Sequence, residues 1–477
     1  MYTFKVAFVQ AAGRQQHGTM ILSAVLKEHG FDTAVFAAEL EGDGLVEVVT
    51  DYQPNILAAS MMTAGSQKDI RLLKTLKENS PQAFVIAGGP HPTFYPDMIN
   101  QGQFIDAICI GEGEYALLEL ATSLREGKIN PEIQNLWFRI DGKVYKNRER
   151  SLIEDLDTLP FPDRSIYFDK YTDMAKGDVK FNVGRGCPFD CSYCFNKGMK
   201  DLYKGEKWTR SKSVERIIAE IKDVNSRYPI KWLNFNDDTF NVRKKWLKTL
   251  LEAYKKEINI PFMCQLRIDF TDEEMIDNLK DAGVEKITVG IEHGNEKIRK
   301  NLLRRNITDD QILQFGAWIN KRKIRLHTTN IVGFPEETMA QAYSTIKLNS
   351  IIKPELAVIN LLNPYPGTDI YRNLKENGYL VEGFSFNKLT GQNVWAEDVD
   401  SVKSLVKNDN IPLFLNLRCF FMILIKCYWL KPFVDTLIKL PNNYIFEFIG
   451  RITSYFHVEI RYATSWAERF RLVKRLF

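Results

Sequence analysis

The chain of 477 residues offers no long unbroken apolar run where it is most hydrophobic. Ile411–Leu440 looks membrane-like, but Arg418, Lys426 and Lys431 interrupt it and Pro432 follows. No run of 18 uncharged residues exists inside it, so a spanning helix is not expected. No secretory leader is expected either, since Met1–Phe8 enters a strand-like run with no basic n-region. Cysteine is scarce and odd in number, with seven in all, and Cys109, Cys264, Cys419 and Cys427 are scattered. That excludes a secreted disulfide framework and points to a reducing, cytoplasmic compartment. A strong excess of one charge is also absent. The net charge is +4, yet residues 401–477 hold 12 Lys/Arg against 5 Asp/Glu, so this tail is +7 and the other 400 residues sum to −3. The same tail carries 15 of the 57 aromatics. A basic, aromatic tail on a nearly neutral body gives no footprint for nucleic acid, and no such partner is expected.

What is present is alternation. Up to about residue 140, β-branched runs (Phe4–Val9, Asp32–Phe36, Asn55–Ser60, Ala83–Ala87, Ala107–Ile110) alternate with helical periodicity at Thr19–His29, Ser66–Asn79 and Glu114–Arg125. This predicts a doubly wound parallel α/β sheet that binds ligands beyond its carboxyl strand ends. Ser151–Arg164, with two prolines and four acids, reads as a linker. About six further strand–helix units then follow in some 190 residues. They are too few for an eight-unit barrel and predict a partial (β/α)6 barrel. The length suits two to four domains, here 1–145, a linker 146–172, 173–395, and a helical aromatic, basic region 396–477. That last region reads as a capping subdomain, or as an amphipathic surface touching lipid or an apolar substrate.

Within GRGCPFDCSYCF (residues 184–195), Cys187, Cys191 and Cys194 follow C-x3-C-x2-C just after a predicted strand. A structural zinc site needs a fourth donor, and no nearby His or Cys supplies one. Three thiolates hold three irons of a cubane cluster and leave the fourth open. Gly184 and Gly186 allow the tight turn such a loop needs.

This pattern, with the aromatic Tyr193 before the last cysteine, resembles the radical S-adenosylmethionine (SAM) superfamily. The resemblance implies a 4Fe–4S cluster whose open iron chelates SAM, and reductive cleavage of SAM to a 5′-deoxyadenosyl radical that abstracts hydrogen from substrate. It also implies roles at later strand ends. Asp237 or Asp238 would hold the SAM amino group, though the family's glycines are missing there; a helix cap is the plainer reading. Glu292, in Gly290-Ile291-Glu292-His293-Gly294, would lie near the ribose, and His293 departs from the usual serine. Ile331, Gly333 and Glu336 would lie near adenine, with Thr329 in place of the pattern's first glycine. Asn363–Thr368 also looks like the family, and Arg267 would face a carboxylate or serve as a salt bridge.

In the first domain, Ser60-Met61-Met62 and Gly88-Gly89 resemble the motifs of cobalamin-binding domains that let a large ligand approach the backbone. Ser60, Gly88 and Gly89 are carried over as cofactor-binding residues. Gly111-Glu112-Gly113-Glu114 is also usual there ahead of a radical SAM barrel. The D-x-H-x-x-G motif that supplies a cobalt ligand is absent; His17 is either an exposed loop residue or a substitute ligand. The order of the parts resembles cobalamin-dependent radical SAM enzymes, a class of methyltransferases and an anaerobic magnesium-protoporphyrin monomethyl ester cyclase. It implies C-methylation of an unactivated carbon. A radical oxidation, cyclisation or rearrangement is the alternative, and a non-catalytic cluster protein a remote one. The implied partners are a small-molecule or lipid-like substrate, an external flavodoxin- or ferredoxin-type electron donor, and peripheral membrane contact through the C-terminal region.

Overall fold

The structure is a computed structural model that describes residues 3–389 and 404–455. The parts of the predicted C-terminal region at 396–403 and 456–477 lie outside the described residues. The chain divides into two compact units, residues 1–186 with 198–233, and residues 187–197 with 234–477.

In the first unit, β1 (Lys5–Gln10), β2 (Asp32–Ala37), β3 (Ile56–Ser60), β4 (Phe84–Gly88), β5 (Ala107–Cys109), β6 (Leu136–Ile140) and β7 (Lys143–Lys146) form one sheet in the order β2-β1-β3-β4-β5-β6-β7. The first five strands are parallel, and β6 and β7 are antiparallel. Val6, Ala7, Phe8 and Val9 are all buried in succession, so both faces of β1 are covered, as a parallel sheet requires. Strand order reverses between β1 and β3, and a doubly wound sheet opens its ligand crevice at such a point. Ser60 stands opposite Gly88 in the β3–β4 register, so the two small-residue motifs leave the same rim side by side.

Later in the chain come β8 (Val179–Phe181), where the Val179 N–H donates to the Trp232 carbonyl, and the short antiparallel pair β9 (Gly184–Arg185) and β10 (Arg210–Ser211). The helix Val214–Arg227 is capped by the Ser213 hydroxyl.

The second unit is built on β11 (Leu233–Phe235), β12 (Phe262–Leu266), β13 (Val284–Glu292), β14 (Arg325–Val332) and β15 (Leu356–Leu361), which neighbour one another in chain order. β12 to β15 pair in parallel. Helices Lys244–Glu257, Glu273–Asp281, Asp309–Lys321 and Met339–Ile352 connect the strands, so all carboxyl ends share one rim. Counting β8, six strands alternate with helices along the chain. The helix Ile411–Lys426 is buried over most of its circumference, with Phe414, Leu417, Phe421 and Leu424 packed among Ile346, Leu356 and Ile359. A helix apolar on every side belongs in a core, and this one covers β15 and the helix Met339–Ile352. Among the described residues no helix is long and apolar enough to cross a membrane.

Candidate functional site

The cysteine loop starts at a residue that must be glycine. Gly186 has φ +82°, and a Cβ there would meet the Trp208 carbonyl oxygen at 2.6 Å. Cys187 and Cys191 are buried, Cys194 is half-buried, and all are free thiols. The loop is closed by the Cys194 N–H on the Cys191 carbonyl (3.1 Å). Ser192 anchors it. The Ser192 N–H donates to the Leu303 carbonyl at 3.1 Å, its hydroxyl to the Leu302 carbonyl at 2.6 Å, and its own carbonyl accepts from the Ile370 N–H at 2.9 Å. Thus the segment after β13 and the helix Asp369–Glu376 after β15 fix where the thiols stand.

Each thiol has a polar neighbour on the rim. Cys187 Sγ lies 3.5 Å from Thr239 Oγ1, Cys191 Sγ accepts from Arg267 Nη1 at 3.3 Å, and Cys194 Sγ accepts from Asn196 Nδ2 at 3.6 Å. Burial pushes the Cys194 thiol up to about 12 and raises Cys187 as well. The charges of Asp238 and Cys191 add to the rise at both, which places three thiols and one carboxylate in one electrostatic neighbourhood. Metal binding there must displace protons. Among the described residues no three His, Cys, Asp or Glu side chains converge on a single-ion position. A cluster is held differently, by thiolates set apart on separate irons.

The strand ends around the loop separate the predicted residues. The helix after β11 begins at Lys244 with Arg243 as its cap, so neither Asp237 nor Asp238 is a helix cap. Asp238 accepts from Asn196 Nδ2 at 3.0 Å and so stands beside Cys194. Asp237 is buried and close enough to Cys264 to raise that thiol. At the end of β13, Glu292 is buried at φ +68°, and its Oε1 would lie 2.0 Å from a Cβ on Gly290. Burial raises its pKa, against the pull of Arg305, a hydrogen bond from Tyr193, and Arg267. Arg305 Nη2 donates to the Gly290 carbonyl at 2.5 Å, and Nη1 lies 3.4 Å from the Tyr193 hydroxyl. Half-buried Tyr193 and buried Glu292 and Arg305 therefore form one group tied to the cysteine loop.

On β14, Ile331 packs against the same apolar cluster as Tyr193, and Gly333, just after the strand, has φ +85°. Glu336 is exposed and accepts from the Tyr379 hydroxyl at 2.6 Å. The next residue, Glu337, is the buried one. It accepts from the Gly333 N–H (2.6 Å) and the Phe334 N–H (3.1 Å), and its other oxygen from His293 Nε2 at 2.9 Å. His293 Nδ1 takes the Asn295 N–H, which fixes the tautomer that donates to Glu337. Sequence reasoning passed over Ser192, Asn196, Thr239, Arg305 and Glu337. The unusual His293 was the one available signal, since a buried imidazole needs a partner.

In the first unit, Gly89 has φ +90°, and a Cβ there would meet Met61 N and Ser60 Oγ at 2.9 Å. Its smallness is required by the protein's own β3 loop. A Cβ on Gly88 would make ordinary contact, 3.5 Å from Cys109 Cβ. His91 is fully buried; its Nδ1 lies 3.3 Å from Thr63 Oγ1 and its Nε2 has no partner. His17 is the first residue of the helix His17–Glu28, not a loop residue, and its Nδ1 is also buried and unpartnered. Burial, then Lys212, Arg164 and Arg185, hold its pKa well below the ordinary value, so it stays neutral. Both orphaned nitrogens follow carboxyl ends of the sheet, where a ligand with polar groups fits.

The Gly111–Glu114 motif is a clamp. Glu112 accepts from Arg185 Nη1 (2.7 Å), Arg210 Nη2 (2.6 Å) and the Ile153 N–H (3.1 Å), while Glu114 takes Arg185 Nη2 (2.5 Å). It holds the β9–β10 pair from which the cysteine loop departs.

The family models of the Radical SAM superfamily and the B12 binding domain match residues 181–348 and 15–121. An uncharacterized methyltransferase of Pyrococcus horikoshii is 29% identical over 384 residues, covering 79% of both chains. The anaerobic magnesium-protoporphyrin IX monomethyl ester cyclase of Rubrivivax gelatinosus is 27% identical over 390 residues, 77% of this chain and 67% of that one. Among solved structures, the cobalamin-dependent SAM radical enzyme OxsB, bound to aqua-cobalamin and SAM, has the same fold. Its TM-score is 0.68 at 15% identity, over 99% of this chain and 75% of that one. The radical SAM methyltransferase TsrM from Kitasatospora setae aligns with TM-score 0.66 at 17% identity, over 80% and 76%.

Proposed function

Because the chain is a radical SAM enzyme with an N-terminal B12-binding domain, we propose that it methylates an unactivated carbon of a small molecule. Its cofactors are a 4Fe–4S cluster, SAM and cobalamin, and its electrons come from an external reductant. The observation that carries the reading is the order of the parts, a B12-binding domain ahead of a three-thiol loop. Relatives named as methyltransferases support it. When bound, the cluster delivers an electron to SAM and cobalamin carries the methyl group to be transferred.

The chain's own residues divide the remaining work. Cys187, Cys191 and Cys194 hold the cluster, with Ser192 fixing their loop. Asp238, beside Cys194, takes the SAM ammonium in preference to Asp237, which faces Cys264. Tyr193, Glu292 and Arg305 shape the nucleoside end, with Ile331 and Gly333 on the next strand. Glu336, pointing outward to Tyr379, braces the turn after β14. Ser60, Gly88 and Gly89 line the cobalamin rim. The test is anaerobic reconstitution with iron, sulfide, cobalamin, a reductant and methyl-labelled SAM, followed by mass spectrometry of a candidate extract. The expected products are 5′-deoxyadenosine and a labelled C-methyl compound. Turnover of substrate with no label in product rejects methylation in favour of a radical oxidation or cyclisation.

For the partner surface, the reading includes a peripheral contact with an anionic lipid face. Trp429 (77% exposed), Ile445 (66%), Phe433 (63%) and Tyr444 (60%) are the most exposed large hydrophobic residues described, within seventeen consecutive positions. Lys426 and Lys439 stand exposed among them. Aromatic tips with lysines suit a headgroup boundary. Sedimentation with anionic but not neutral liposomes is expected; equal recovery with neither rejects the contact.

A further inference from the structure

We propose that Arg267 sets the reduction potential of the iron–sulfur cluster through a charged hydrogen bond to the Cys191 thiolate. The proposal rests on the reading that Cys191 is a cluster ligand. Arg267 follows the last residue of β12 and is only 5% exposed. Its Nη1 is 3.3 Å from Cys191 Sγ. The rest of the guanidinium is spoken for. Nε and Nη2 bind the two Asp269 oxygens at 2.8 and 3.1 Å, and the plane lies 3.6 Å from the centroid of the Phe189 ring. The backbone is pinned as well. Fully buried Asn241 accepts the Arg267 N–H and donates to its carbonyl, both at 3.0 Å, and the Thr271 hydroxyl donates to that carbonyl at 2.8 Å. With one edge on Asp269, one face on Phe189 and the backbone held at both polar atoms, Nη1 is aimed at the sulfur and has little freedom to turn.

The other two thiols carry weaker neighbours, a threonine hydroxyl at 3.5 Å and an asparagine amide at 3.6 Å. A cationic donor binds a thiolate about twice as strongly as a neutral one. Hydrogen bonds and positive charge at ligating sulfur favour the cluster state with one more electron, so they raise its potential. Arg267 thereby makes the cluster easier for an external donor to reduce, at some loss of driving force toward SAM. Asp269 limits the effect by neutralising part of the charge, and Phe189 keeps water from the bond. The chain thus holds a positioning residue one contact away from the reacting atoms.

The test compares reconstituted wild type with Arg267→Lys, Arg267→Gln and Arg267→Met by EPR-monitored redox titration, without SAM, after iron and sulfide are counted. Full clusters are expected in all, with the midpoint shifted to more negative potential, furthest for Met and least for Lys. Reduction by a weak protein donor slows more than turnover driven by a strong chemical reductant. An unchanged midpoint with a full cluster in Gln and Met overturns the proposal, and so does an unchanged midpoint with only the KM for SAM raised. If Met does not load, the Gln and Lys variants decide the matter alone. Cys191→Ala separates the two ideas. Loss of the cluster there with an unmoved Arg267 midpoint defeats only the tuning role, whereas a cluster surviving Cys191→Ala defeats the ligand reading beneath it.

Discussion

At Gly89 the protein has no room for a side chain, and at Gly88 it has. The two glycines stand together in the sequence, yet a Cβ meets backbone at 2.9 Å in one and a side chain at 3.5 Å in the other. Gly89→Ala should therefore cost about 2–4 kcal/mol, through its positive φ and the collision with Met61. Gly88→Ala should cost about 1 kcal/mol or less; urea denaturation of both variants checks the contrast. Equal losses would mean that the β3–β4 loops are not the constraint. Glu112 makes a pH prediction. Burial alone would raise its pKa, but Arg185 and Arg210 outweigh burial and hold it at about 2, against 4.5 when unfolded. A depressed folded pKa gives stability that is present above pH 4.5 and lost as pH falls toward 2. The contribution is about 3 kcal/mol. Glu112→Gln should lose that much at pH 7, and its deficit against wild type should shrink between pH 5 and 3, read by denaturant unfolding across that range.

Elements carry the next set of consequences. The helix Ile411–Lys426 is joined to the helix Tyr444–Tyr455 by a buried ion pair, with Arg418 Nη2 2.6 Å from Glu447 Oε1 and both side chains at most 5% exposed. Glu447→Ala leaves a buried guanidinium without its partner and should destabilise the protein by about 3–5 kcal/mol. The double change Arg418→Met with Glu447→Leu should recover most of that, since it removes both charges; thermal unfolding of the two variants tests it. That helix also shows where the sequence is ambiguous. Its composition fits a core helix or a membrane surface, and only its packing on β15 decides. By contrast Ser66–Asn79 has the bounds its periodicity predicts, because a helix with one covered face needs only local pattern. The β6–β7 hairpin escaped notice although Asp141-Gly142, both at positive φ, is a strong two-residue turn signal. At the site, the cysteines were legible because three thiols in eight residues have little other use. Arg305, Thr239 and Glu337 were not, because each acquires its role from residues far away in the chain. Spacing does not say that Asp238 meets Asn196 while Asp237 lies near Cys264, or that Glu336 is exposed while Glu337 is buried.

For the whole molecule, the two proposed cofactor sites draw on different residues. Ser60, Gly88 and Gly89 lie in the first unit, whereas the three cysteines with Asp238 and Glu292 lie in the second. Each site has its own anchoring. The cysteine loop is held by Leu302, Leu303 and Ile370, and the rim of the first sheet by the β3–β4 register and the Met61 backbone. Loss of one cofactor should then leave the other's residues in place. Cys187→Ala with Cys191→Ala and Cys194→Ala should abolish iron and 5′-deoxyadenosine formation while cobalamin still binds with unchanged stoichiometry. Iron analysis, the visible cobalamin spectrum and equilibrium dialysis measure both in the same preparation. The triple variant should also unfold with near-wild-type stability, because removing three thiols takes away few apolar contacts and none of the Ser192 bonds. Cobalamin lost together with iron, in protein that is still folded, would mean that the cluster loop orders the first unit's rim and that the sites are built as one.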